Sequence, residues 1–121
     1  MMRSPTAVLT LMILLAAATT AGAHAFLQRA EPRVGSTVRT PPAQVRLWFS
    51  ERLEPAFSSV RVVNETGERV DKEDNKVTPS APKQLSVSLP PLPAGIYRVF
   101  WRVLSVDTHV TEGDFTFRVA P

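Results

Sequence analysis

The chain has 121 residues, with 14 lysines and arginines against 11 aspartates and glutamates, for a formal net charge of +3. Its basic residues are scattered rather than clustered, which argues against the electrostatic footprint of a nucleic-acid binder. Cysteine is absent, so neither a disulfide framework nor a thiolate metal site is available.

Arg3 is the only charge before His24, and Ala7 to Ala18 is apolar apart from Thr10. That run of roughly 12 residues falls short of the ~20 needed to cross a bilayer. Thr19-Thr20-Ala21-Gly22-Ala23 follows, with small residues at both positions that a signal peptidase reads. The pattern predicts a signal peptide over residues 1–23 and an exported domain over 24–121. The expected domain has 98 residues (121 − 23), the size of one small domain. A second cut after Ala25 has the same small-x-small form and would remove His24. Loss of Arg3 leaves 13 basic against 11 acidic residues, a net charge of +2. The methionines are Met1, Met2 and Met12, so the exported domain contains no sulfur and lacks the soft ligands that Cu(I) prefers.

Downstream, the chain reads as short strands with Pro and Gly punctuation. Val45, Leu47 and Phe49 alternate with Arg46, Trp48 and Ser50, the period-2 pattern of a half-buried strand. Val60 and Val62 continue in that style before a turn at Asn64-Glu65-Thr66-Gly67. Asp71 to Pro82 is charged and polar and reads as a surface loop or weak edge segment. Leu85, Val87 and Leu89 alternate until Pro90, Pro91 and Pro93 stop the strand. Tyr97, Val99, Trp101 and Val103 form the longest alternation, and Phe115, Phe117 and Val119 the last. No window shows a sustained helical period, and the 11 prolines leave little room for long helices. The spacing predicts an all-β chain, a small Greek-key β-sandwich or barrel of Ig-like type with about seven strands. Leu92-Pro93-Ala94-Gly95-Ile96-Tyr97 resembles a tyrosine corner, with Tyr97 as an ordinary core aromatic the competing reading. Trp48, Phe49 and Trp101 read as core or sheet-face residues.

Only two histidines occur, His24 and His109. If cleavage falls after Ala23, His24 carries a free α-amine beside its imidazole, and the two nitrogens can chelate one ion. His109 and Asp107, two residues apart and on one side of an extended chain, would complete a set of N and O ligands that suits Cu(II). The competing readings make His109 a hydrogen-bonded surface residue and Asp107 a group that merely orients it.

Further motifs join these. His24-Ala25-Phe26-Leu27 leads into Ala30-Glu31-Pro32 and Val34-Gly35-Ser36, then Val45-Arg46-Leu47-Trp48-Phe49-Ser50-Glu51 and Leu53-Glu54-Pro55. Gly95-Ile96-Tyr97-Arg98-Val99, Trp101-Arg102-Val103, Ser105-Val106-Asp107-Thr108-His109 and Gly113-Asp114-Phe115-Thr116-Phe117 complete the series. In this order and spacing the domain resembles the CopC family of periplasmic copper-resistance proteins along essentially its whole exported length. The resemblance implies a Greek-key β-barrel or sandwich holding Cu(II), one ion per chain, through His24, Asp107 and His109. Glu51 stands at a family position implicated near the metal, as an axial or supporting group; the competing role is a structural partner for Arg52 or another base. The methionine-rich Cu(I) loop of some relatives is missing, so no Cu(I) methionine site is expected. Val110 stands where many relatives have proline. The implied role is a periplasmic copper carrier or buffer, monomeric and non-enzymatic, working beside, or fused to, an inner-membrane CopD-type copper transporter. Two other classes are a small copper monooxygenase with a histidine brace and a metal-free Ig-like interaction module.

Overall fold

Period-2 alternation becomes two stacked sheets in the computed structural model, which describes residues 24–121. The expected signal peptide, residues 1–23, lies outside the described residues. The strands are β1 (Leu27–Glu31), β2 (Thr37–Val38), β3 (Gln44–Phe49), β4 (Ser59–Val63), β5 (Lys76–Val77), β6 (Gln84–Ser88), β7 (Gly95–Leu104) and β8 (Val110–Val119). One 3₁₀ turn, Pro55–Phe57, interrupts them. Among the described residues no helix is long and apolar enough to cross a membrane.

The first sheet has the order β1-β3-β6-β5 and the second β2-β8-β7-β4. Only β5–β6 and β7–β8 are both sequential and paired, and every other link crosses between the sheets. The chain is therefore an all-β sandwich of two separate sheets rather than a closed barrel. All pairings are antiparallel except β2 with β8. The segment read as a loop or weak edge holds the two-residue edge strand β5. The last strand starts at Val110 rather than near Phe115, because the β7–β8 register runs unbroken from Gly95↔Val119 to Leu104↔Val110.

Inward residues of both sheets meet in one core. Val45, Leu47 and Phe49 of β3 and Leu85 and Val87 of β6 face Val60 and Val62 of β4, Val99 and Val103 of β7, and Phe117 and Val119 of β8. Each large apolar side chain so buried contributes about 1.5–3 kcal/mol, which must hold the fold without disulfides. Phe49 packs edge-on to Trp101, with ring centroids 5.1 Å apart, and so joins the two sheets. Tyr97 stacks on Phe117 at 5.5 Å, and its hydroxyl donates to the Pro93 carbonyl at 2.6 Å, the backward hydrogen bond of a tyrosine corner. Trp48 lies on the outer face of the first sheet, its ring flanked by the Arg29 and Arg46 guanidiniums at 4.6 and 5.4 Å.

Candidate metal centre

β7 and β8 are joined at one end of the sandwich by Ser105 to His109, which carries the predicted Asp-x-His pair. Backbone bonds close this turn: Ser105 N–H donates to His109 O at 3.0 Å and Thr108 N–H to Ser105 O at 2.9 Å. The segment after β3 braces it from outside. Val106 N–H donates to Arg52 O at 3.0 Å, Glu54 N–H donates to Leu104 O at 2.8 Å, and Leu53 bridges Ser105.

Asp107 and His109 thus sit in a tight turn, not on the extended chain their spacing suggested. Thr108 between them has φ of +73°, a left-handed conformation that costs a β-branched residue on the order of 1–3 kcal/mol. The kink still brings the two side chains together, with Asp107 Oδ1 3.5 Å from His109 Nδ1. Asp107 also accepts from the Ser105 hydroxyl. That hydroxyl, with His109 adding to it, holds the Asp107 carboxyl below the usual carboxylate range. Both side chains remain open to solvent, at 43% for Asp107 and 45% for His109.

His24 reaches the same end of the sandwich from the far end of the described sequence. Phe26 N–H donates to Ser50 Oγ at 2.8 Å and Ser50 N–H to Phe26 O at 2.9 Å, tying the entering chain to the end of β3. Thr111 of β8 donates its hydroxyl to Ala25 O at 2.8 Å, and Ala25 is wholly buried. These ties set the His24 ring against the His109 ring, edge to face, with centroids 4.6 Å apart. Glu51 follows Ser50 at the same end and is half-buried. Among the described residues it forms no ion pair with Arg52.

The structure therefore places His24 beside His109 and Asp107 beside His109. Among the described residues, no three or more His, Asp or Glu side chains are gathered closely enough to hold an ion by side chains alone. The donor atoms on offer are nitrogen and oxygen, a set that fits Cu(II) and excludes thiolate or thioether chemistry. Sequence reasoning missed the three hydroxyls, of Ser50, Ser105 and Thr111, that fix these segments. Ser105 alone left a signal there, as the polar residue ending the apolar series Tyr97, Val99, Trp101, Val103.

Comparison with known proteins bears on this arrangement. The model of the CopC domain family matches residues 27–120, a range that holds Glu51, Asp107 and His109 and begins just after His24. The copper transport protein CutJ of Bacillus subtilis (strain 168) is 30% identical over 113 residues, which are 93% of this chain. The chain spans only 21% of the length of that relative. The crystal structure of CopC from Methylosinus trichosporium OB3b superposes with a TM-score of 0.76 at 39% identity, covering 81% of this chain and 95% of that one. PcoC, a methionine-rich copper resistance protein from Escherichia coli, gives a TM-score of 0.68 at 37% identity, covering 81% of this chain and all of that one. Matched along nearly all its described length by the family model, and sharing its two-sheet sandwich with those two structures, this chain belongs to the CopC family.

Proposed function

We propose that this protein is a periplasmic Cu(II) carrier, exported by cleavage after Ala23, that takes one ion at His24, Asp107 and His109. The observation that carries the reading is the approach to 4.6 Å of the His24 and His109 rings, which are 85 residues apart in sequence (109 − 24). Membership of the CopC family and the copper-related names of its relatives support it.

Cleavage would turn the amide of His24 into a free amine. An α-amine has an ordinary pKa of about 8, so a cupric ion can displace its proton near neutral pH. The amine and imidazole of one residue then act as a chelating pair, with His109 adding a second imidazole. Asp107 supplies the negative charge that favours a dication. Glu51 is a supporting group from the neighbouring segment. With no methionine beyond Met12, the domain lacks the sulfur ligands that would hold Cu(I), and reduction should release the ion. The exposed donors suit handing copper on, to an inner-membrane CopD-type transporter, by a monomer that performs no chemistry itself.

N-terminal sequencing of the exported protein, with metal analysis and electron paramagnetic resonance of the Cu(II) form, tests the proposal. The expected result is a chain starting at His24, one Cu(II) per chain, and a nitrogen-rich cupric spectrum lost when one extra residue precedes His24. A chain starting at Phe26, or a copper-to-protein ratio near zero, overturns it.

A further inference from the structure

We infer that Ser105 is the positioning residue of this centre, its buried hydroxyl setting where Asp107 and His109 present their donor atoms. The inference rests on the copper-carrier reading and goes beyond it to a residue that need not touch the ion. Inward positions of β7 carry Tyr97, Val99, Trp101 and Val103, and the next position on that face is Ser105. Packing alone would accept alanine or valine there. The side chain is instead a hydroxyl with 0% exposure, which is costly to bury unless it is hydrogen-bonded.

Its partners are the two proposed ligands. The hydroxyl donates to Asp107 Oδ1, accepts from His109 N–H at 3.3 Å, and lies 3.2 Å from His109 O. A hydroxyl has one proton to give and two lone pairs to offer. The carboxylate is the stronger acceptor, so the proton goes to Asp107 and the oxygen takes the His109 amide. One buried atom thereby fixes a side chain and a backbone two residues apart. The same Oδ1 faces His109 Nδ1 at 3.5 Å, leaving Asp107 Oδ2 and His109 Nε2 unengaged among the described residues. Ser50 and Thr111 hold the His24 segment, but among the described residues neither hydroxyl hydrogen-bonds Asp107 or His109, which singles out Ser105.

The test compares wild type, Ser105→Ala and Ser105→Thr as exported proteins beginning at His24. Cu(II) affinity is measured by competition, the cupric spectrum by electron paramagnetic resonance, and apo stability by thermal unfolding. In Ser105→Ala, affinity should fall about tenfold, the low end of what losing a ligand's supporting group costs. Its cupric spectrum should broaden or shift as Asp107 loses its fixed rotamer. Ser105→Thr, which restores the hydroxyl, should recover the wild-type spectrum even if its apo stability is lower. If Ser105→Ala keeps the wild-type affinity and spectrum while the wild type binds copper, the positioning role is wrong and the carrier reading stands. A Ser105→Ala protein that melts earlier but gives an unchanged spectrum likewise reduces Ser105 to packing. If the wild type takes up no Cu(II), the carrier reading fails and the role in copper positioning fails with it.

Discussion

Asp71 and Asp107 lie in two turns that share one backbone feature and are opposite in use. Each turn contains a non-glycine residue in the left-handed region, Glu73 with φ of +58° and Thr108 with φ of +73°. The Asp71 side chain is 0% exposed, and both its oxygens are fully engaged. Oδ2 accepts from Val62 N–H and Oδ1 from Glu73 N–H, each at 2.8 Å, while Arg69 Nε lies 3.0 and 3.1 Å from the two. Asp107 gives one oxygen to Ser105 and remains 43% exposed beside an imidazole. A carboxylate whose lone pairs are all taken can only hold the fold. One that is half satisfied and open to solvent has capacity left for a ligand.

Exchanging or removing these groups should separate the roles. The largest effect is expected for Asp71→Ala, which strands the Val62 and Glu73 backbone donors and leaves the Arg69 guanidinium with Glu73 as its remaining acidic partner. It should cost about 3 kcal/mol of stability, toward the low end for a broken buried pair because Arg69 is partly exposed. Thermal unfolding should then fall by more than about 10 °C for a domain of this size, with the copper spectrum of the folded protein unchanged. Acid titration sharpens the point. Burial alone would raise the Asp71 pKa, but the Arg69 side chain and the Val62 and Glu73 amides outweigh it and hold the pKa below the ordinary value. Because the folded value lies below the unfolded one, the stabilisation is complete above about pH 4 and disappears as pH falls through the folded pKa. Asp71→Asn should flatten that acid limb in urea titrations at varied pH; an unaltered limb would place the acid sensitivity elsewhere.

His109→Ala comes next, and it should act in the opposite way. Loss of the proposed imidazole ligand should weaken Cu(II) binding beyond 100-fold, more than about 2.7 kcal/mol, with little change in apo unfolding because the ring is 45% exposed. A copper spectrum that survives His109→Ala would break the contrast outright. Asp107→Asn keeps the shape and removes the charge, so a drop of about 10- to 100-fold is expected. Glu51→Gln should cost least, about twofold, in line with a substitution away from the donor atoms. Competition titrations give the ranking, and a larger loss in Glu51→Gln than in His109→Ala would reverse the ligand assignment.

Regular alternation made the central strands readable. Val45-Leu47-Phe49, Leu85-Val87-Leu89 and Tyr97-Val99-Trp101-Val103 each bury one face on the partner sheet, so period 2 is written directly into them. β1 left no such trace, because its register shifts between Leu27 and Arg29 and only Ala30 within it is buried. β2 is two residues held by main-chain bonds, such as Ala120 N–H to Val38 O at 2.9 Å, that carry no side-chain signature. The polar opening of β8, Val110 to Asp114, is strand because β7 templates it. At the centre, the Asp-x-His pair was visible as a motif, whereas its turn geometry depends on Thr108 and on the Arg52–Glu54 segment braced against it. In the sequence Asp71 is one more charge in a polar stretch, since its partners Val62 and Arg69 lie outside the segment Asp71 to Pro82.

The ties at the centre come from different sheets. Ser50 at the end of β3 holds the His24 segment to the first sheet, while Thr111 belongs to the second and His109 to the turn that joins its strands β7 and β8. On the proposed reading, an ion shared by His24 and His109 would link the first residue of the exported domain to its final hairpin. The cross-link would close almost the whole polypeptide into a ring, the case in which it most restricts the unfolded chain. In a domain without cysteines, the cargo would then serve as a removable staple, and copper loading and mechanical integrity would rise and fall together.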